Sequence, residues 1–252
     1  MQLDHLVINT ALGMDAAAAL FADLGFHLTP RGHHSLGSIN HLMMNPASYL
    51  ELVGVPATGK QRQEVLDSPL GLSGLVFRSG GAEATYKRLS AAGFAPQEPI
   101  LLERAVSVGG TEHMAQFHNV RMTAAEFPAG RVYFCQHLTP DLVWREEWLS
   151  HPNGFCGIAG MSVQDPDPER EAARYAALAG GDIRRDGDGW RIGGVDFSLW
   201  ITQGANAFTS ATLLFEDLDD IAARAEASMD AEWCGDILTI PSLALILYCR
   251  AK

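Results

Sequence analysis

Long apolar runs are missing from this 252-residue chain. The longest candidate, Ile240 to Cys249, has the size of a strand and falls short of the roughly 18 residues of a membrane-spanning helix. Positive charge is also scarce, with 18 Lys and Arg against 30 Asp and Glu, a net charge of −12 and a pI near 5.1. A nucleic-acid or anionic-membrane partner needs a basic footprint, so neither is expected. The opening MQLDHLVINT has an acid at Asp4 and no basic start, so no signal peptide is read there. Cysteine is limited to Cys135, Cys156, Cys234 and Cys249, with no CxxC spacing. They read as reduced, buried thiols of a cytoplasmic protein. No GxGxxG or GxxxxGK[ST] follows a strand, which removes a nucleotide cofactor. Low-complexity tracts are absent.

Histidine is missing from one end only. All nine lie at or before His151, so imidazole chemistry, if there is any, belongs to the N-terminal part. Charge is lopsided as well: the first 150 residues hold 10 basic against 14 acidic residues, the remaining 102 hold 8 against 16. His27, His33 and His34 read as solvated strand ends and turns.

What is present is 47 % hydrophobic residues and an internal repeat. LDHLVINT is followed by a helix from Met14 to Leu24 and a stop at Gly25. LSGLVFRS is followed by a helix from Ala82 to Ala92 and a stop at Gly93. Leu3, Leu6, Val7 and Ile8 align with Leu72, Leu75, Val76 and Phe77. A third unit runs GIAGMSVQD into a helix opened by Asp167-Pro168, and a fourth runs SATLLFED into a helix carrying Leu218, Ile221 and Ala225 inward. Apolar stripes (Leu20, Phe21, Leu24; Tyr86, Leu89) fit helices packed on one face of a sheet. Strands are expected after each helix: HLTPRG, INHLMM and YLELVGV, then AVSV, MAQFHNV and RVYFCQHL, then DIRRDG, GWRIG and VDFSLWIT, then EWCGDIL and LALILYC. The fold class is therefore α+β, four βαβββ units in tandem. Linkers are expected at VPATGKQRQEVLDSPLG and DLVWREEWLSHPNG.

Period-two alternation puts His5 on the strand face opposite Leu6 and Ile8, which should meet the helix. Glu51 shares a face with Tyr49 and Val53 inside an apolar strand. A buried, ionised carboxylate costs several kcal/mol without a cation or donor. His5 and Glu51 thus offer the nitrogen and oxygen that divalent metals use. The alternative reading is a hydrogen-bonded core histidine and a Glu51 paired to Arg104 or Arg121. Arg104 and Arg121 suit a substrate carboxylate. His118 and His41 are candidate acid–base groups, Glu51 a second catalytic group. Tyr49, Tyr133 and Met43 or Met44 are candidate cavity walls, and Trp144 and Trp148 are expected to pack between two barrels.

The tandem units, LDHLVI with His5, and YLEL with Glu51 resemble the vicinal oxygen chelate superfamily, in its glyoxalase-like branch. Cys135 to Gly154, CQHLTPDLVWREEWLSHPNG, resembles the end of the first pair of units there. The resemblance covers most of residues 1 to 155. It implies two glyoxalase/dihydroxybiphenyl-dioxygenase-like open barrels, one over 1–140 with the active site and a degenerate one over 156–252. It also implies a divalent metal (Fe, Mn, Zn or Ni), held by a His or Gln on the first strand and a Glu on the last strand of each unit. Carried over, His5 and Glu51 are ligands, and the second-unit match of His5 is Gly74, which cannot ligate. Anchoring on Pro56 and Pro140 sets Cys135 opposite Glu51 and offers His137 as a third ligand. Tyr49, Arg104 and Tyr133 become substrate-binding residues. The implied activity is a metal-assisted lyase, isomerase or dioxygenase acting on a small oxygenated metabolite; the alternative is a metal-free protein that sequesters a small molecule. The partner is a small-molecule substrate or ligand, with a homodimer left open.

Overall fold

A computed structural model describes every residue except Val195. Val195 begins the expected strand VDFSLWIT, and that position lies outside the described residues. The first unit comprises β1 (Leu3–Ala11), α1 (Met14–Asp23), β2 (Gly32–His34), β3 (Ile39–Met44) and β4 (Tyr49–Gly54). A short helix α2 (Gln63–Asp67) leads to β5 (Gly71–Arg78), α3 (Ala82–Ala91), β6 (Ile100–Val108), β7 (Thr111–Arg121) and β8 (Arg131–His137). The C-terminal pair of units follows the same plan from β9 (Phe155–Asp165) and α4 (Pro168–Ala179) to β16 (Leu245–Ala251). The architecture is α+β with tandem βαβββ units, as the repeat implied.

Helix ends follow the sequence signals. Gly25 and Gly93 take φ of +82° and +87° just past α1 and α3, a conformation that costs glycine little. Asp167 caps α4 by accepting from the Arg170 N–H at 3.2 Å, with Pro168 in the first turn. Leu6 and Ile8 face the apolar cluster that holds Phe21 of α1 and Leu24 just past its end, whereas Val7 joins a second cluster inside the N-terminal sheet. Period two thus decides which side of β1 meets the helix.

Several expectations are corrected. The N-terminal strands form a closed barrel in the order β1-β4-β3-β2-β6-β7-β8-β5, where an open one was implied. Closure comes from β2 against β6, with His33 opposite Ala105 and His34 opposite Arg104. Strand β2 lies at Gly32–His34, beyond most of HLTPRG. The expected linker around Lys60 carries α2. Trp148 belongs to the cluster inside the barrel, and Trp144 packs on His137 at 4.6 Å between ring centroids, so neither separates two barrels.

The second sheet has eight strands, two of them adjoining β9: β12 (Ser198–Gln203) and β13 (Ala207–Phe215). The two sheets share one core. Phe26 lies 5.4 Å from Phe155 and 6.1 Å from Phe215, ring to ring. The segment joining the sheets is fastened to the first unit. His151 donates from Nε2 to the Met44 carbonyl at 2.6 Å and accepts the His27 N–H on Nδ1 at 2.9 Å, and Asn153 donates to the Leu24 carbonyl at 2.9 Å.

Candidate functional site

Inside the closed barrel lies a cavity of about 770 Å³ whose walls come from the N-terminal units alone. His5, Tyr49, Glu51, Arg104 and Tyr133 all line it. The faces assigned by alternation therefore converge.

The geometry at its inner end is specific. His5 stacks on Tyr49, ring centroids 4.4 Å apart and planes 13° off parallel. Its Nδ1 donates to Asp4 Oδ1 at 2.6 Å. Nε2 is left facing the cavity, 3.6 Å from Glu51 Oε2 and 3.1 Å from the Tyr133 hydroxyl. Glu51 Oε1 accepts from Asn40 Nδ2 at 2.6 Å, and Asn40 Oδ1 accepts from Arg104 Nη1 at 3.3 Å. Glu51 Oε2 accepts no hydrogen bond among the described residues. One atom of each candidate ligand is pinned from behind while the other faces the cavity, where His5 Nε2 accepts from the Tyr133 hydroxyl alone.

Charge follows from these contacts. Burial alone would push the Glu51 carboxyl up. It is outweighed by His5 and His34, by the Asn40 hydrogen bond and by Arg104, so Glu51 sits below its ordinary range and is ionised at neutral pH. Asp4 is likewise held low: burial opposes ionisation, but the hydrogen bonds from His137 and His5 prevail. Burial, with Glu51 nearby, drives the Tyr133 hydroxyl well above its usual value and keeps it neutral. Burial also lowers the Arg104 guanidinium, with Tyr49 and Glu51 acting against that shift.

Strand register corrects the unit-two correspondence. Parallel pairing sets His5 opposite Tyr49 and Val7 opposite Glu51 in unit one. In unit two it sets Gly74 opposite Arg131 and Val76 opposite Tyr133. Tyr133, rather than Cys135, is therefore the counterpart of Glu51. The proline anchors misled by two residues because the ends of β4 and β8 differ in length. Gly74 is closed off too, since a Cβ there would meet Val7 Cγ2 at 2.8 Å.

Other candidates are placed elsewhere. His137 does not line the cavity; its Nε2 donates to Asp4 at 3.0 Å. His118 alternates with the cavity-lining Phe117 and Asn119 and does not line it. His41 binds the Thr29 carbonyl and Arg31, away from the cavity. Leu42 lines the cavity; Met43 and Met44 do not. Arg104 reaches Glu51 through Asn40, and Arg121 pairs with Glu64, 3.6 Å away.

Three site residues escaped the sequence reading. Asn40 was visible as a polar residue on the inward parity of an apolar strand. Asp4 breaks the parity rule because the β1–β5 register steps from Leu3–Phe77 to His5–Val76, a bulge that lets consecutive side chains meet. His34, expected to be solvated, lines the cavity beside Asn40, with Nδ1 2.8 Å from Ser38 Oγ. Nothing in a three-residue strand signalled that.

Do these residues suit a divalent metal? His5 and Glu51 do: an imidazole nitrogen and an ionised carboxylate oxygen face one point, with Asp4 behind the imidazole as ligand histidines are usually supported. At the two remaining positions Gly74 offers nothing and Tyr133 a neutral hydroxyl. Among the described residues, Asp4, Cys135 and His137 also bring ligating atoms within 4.8 Å of one another. Burial and the charges of Asp4 and Glu51 hold that thiol protonated, and Asp4 is already engaged by two imidazoles. This second group is a hydrogen-bonded barrel floor.

A family profile described as Glyoxalase-like domain matches residues 3–179. No curated protein matches the chain. Among solved structures, a hypothetical protein from Staphylococcus aureus superposes with a TM-score of 0.71 at 13 % identity, covering 100 % of this chain and 99 % of that one. The Mn(II)-bound glyoxalase from Novosphingobium aromaticivorans gives 0.63 at 11 %, covering 99 % and 81 %. The 2,3-dioxygenase LapB from Pseudomonas sp. KL28 gives 0.59 at 12 %, covering 99 % and 92 %. With a match over more than two thirds of its length, the chain belongs to the glyoxalase-like domain family.

Proposed function

We propose that this glyoxalase-like protein is a metal-assisted enzyme acting on a small oxygenated, acidic metabolite in the barrel formed by residues 1–140, and that residues 156–252 serve as a second barrel without a site. The observation that carries the reading is the pair of cavity-facing atoms, His5 Nε2 and Glu51 Oε2, 3.6 Å apart at the cavity's inner end with Asp4 and Asn40 fixing their far sides. His5 and Glu51 would hold the ion, which when bound supplies Lewis acidity to adjacent substrate oxygens. The lyase, isomerase and dioxygenase classes all use that chemistry. The protein's own groups do the rest. Asp4 keeps the His5 proton on Nδ1. Asn40 and Arg104 keep Glu51 ionised and oriented. The Tyr133 hydroxyl is neutral, donates to His5 Nε2 at 3.1 Å, and would turn from there to donate to a substrate oxygen. Tyr49 holds the imidazole plane by stacking and walls off water.

Metal analysis of freshly purified protein tests this. About one divalent ion per chain is expected in the wild type after dialysis against Mn, Fe, Zn or Ni, and none in His5→Ala or Glu51→Gln. Equal retention by all three proteins would overturn the assignment. A metal-free binding protein is the second reading, favoured by Gly74 and Tyr133 at the two remaining ligand positions. Its mark is a wild type that retains no ion yet binds small acids.

A further inference from the structure

The outer part of the cavity carries three guanidinium groups that the metal reading leaves unused. Arg62 precedes α2, Arg121 ends β7 and Arg131 begins β8, and all three line the cavity. Between them stands one carboxylate. Arg62 Nε donates to Glu64 Oε2 at 3.0 Å, Arg62 Nη2 reaches the same oxygen, and Arg121 Nη1 lies 3.6 Å from it. Arg131 donates to Ser73 Oγ at 3.0 Å and has no carboxylate within 4.0 Å among the described residues. The Nε atoms of Arg121 and Arg131 are buried without a partner. Asp67, the other acid on α2 that lines the cavity, accepts from Gln63 at 2.7 Å. So two of the three cations share a single carboxylate oxygen and the third, Arg131, has none, while Glu64 Oε1 accepts nothing among the described residues.

We propose that this cluster is the recognition site for an oxyanion of the substrate, a carboxylate or a phosphate, and that Glu64 fills it as an internal stand-in until the substrate displaces it. The proposal deepens the function given above and rests on this cavity being the substrate site. Guanidinium forks suit planar and tetrahedral oxyanions, and two of the three sit on barrel strands that fix their spacing. Glu64 sits instead on a helix of five residues, with its side chain 42 % exposed, so it can swing outward without unpacking the barrel. Being tethered, it competes with any incoming anion at high effective concentration. Burial opposes its ionisation, but Arg62, Arg131 and Arg121 together hold it charged. A substrate bound this way presents its acid outward and its reacting oxygens toward His5 and Glu51.

Calorimetric titration of the full chain, treated with chelator, with succinate and with inorganic phosphate tests the site. Glu64→Gln should bind at least one of the two about fivefold more tightly than the wild type, because the competing charge is gone. Arg131→Gln and Arg121→Lys should each weaken it about tenfold or more, the latter because an ammonium keeps the charge but loses the fork. Preference for succinate or for phosphate identifies the source of the oxyanion. Unchanged or weaker binding by a folded Glu64→Gln, or wild-type affinity in both arginine variants, overturns the proposal. Failure to retain metal sinks the metal reading alone, whereas loss of arginine-dependent anion binding sinks this one alone.

Discussion

His34 is half-buried in the cavity wall, and desolvation there, only partly offset by Glu51, pulls its imidazole down to about 4. An unfolded histidine titrates near 6.5, so between about 6.5 and 4 the unfolded chain binds the extra proton. Stability from a neutral His34 is therefore complete above pH 6.5 and lost as pH falls toward 4, by up to about 3 kcal/mol. His34→Gln should flatten the dependence of urea midpoint on pH across that window, and an unchanged slope would count against it. At this scale the legible residues were those whose type clashes with an apolar strand: His5, Glu51 and, in principle, Asn40. His34 and Asp4 were illegible for different reasons. His34 is drawn inside by the β2–β6 closure, a contact between residues some 70 apart in sequence. Asp4 depends on a bulge that alternation cannot foresee.

Elements were easier to read than side chains because their signals are local. Gly-Phe after α1 and α3, Asp-Pro before α4 and the alternation of β1 each act within a turn or two of chain. Register between β5 and β8, which decides that Tyr133 is the unit-two counterpart of Glu51, is set by tertiary pairing and could not be fixed from prolines at the strand ends. Helix α4 carries its own anomaly. Glu171 is buried on its inner side, with Oε1 unpartnered and Oε2 3.5 Å from Arg174 Nε. Burial first and then repulsion from Asp165 push its carboxyl up to about 7. Here the folded state holds the proton more tightly, so stability is full below pH 4.5 and is lost as pH rises through 7. Glu171→Gln should stabilise the protein at pH 8 by on the order of 2 kcal/mol and change little at pH 5. Melting temperatures that shift equally at both pH values would show that its ionisation is not the cause.

For the whole molecule, the question is why a histidine-free second sheet accompanies a barrel that contains the entire cavity. Its apolar face completes the core of the first unit. Phe26 follows α1 directly and is 3 % exposed, and it sits among Phe21, Phe155 and Phe215 with ring centroids 5.4 to 6.1 Å away. Beside it, a Cβ on Gly25 would meet Asn153 at 2.9 Å, so the turn after α1 and the segment entering β9 are fitted to each other. The helix that backs β1 thus leans, through the turn that follows it, on residues of the other half. Two sheets joined through one core should unfold together. Phe26→Ala removes a ring from the centre of that junction and should cost about 3–5 kcal/mol. In calorimetry the expected result is a single transition displaced to lower temperature, because neither half keeps a complete core without the other. Two resolved transitions in the wild type, or a Phe26→Ala protein in which only one of two transitions moves, would mean that the barrel stands on its own and the second sheet is an appendage.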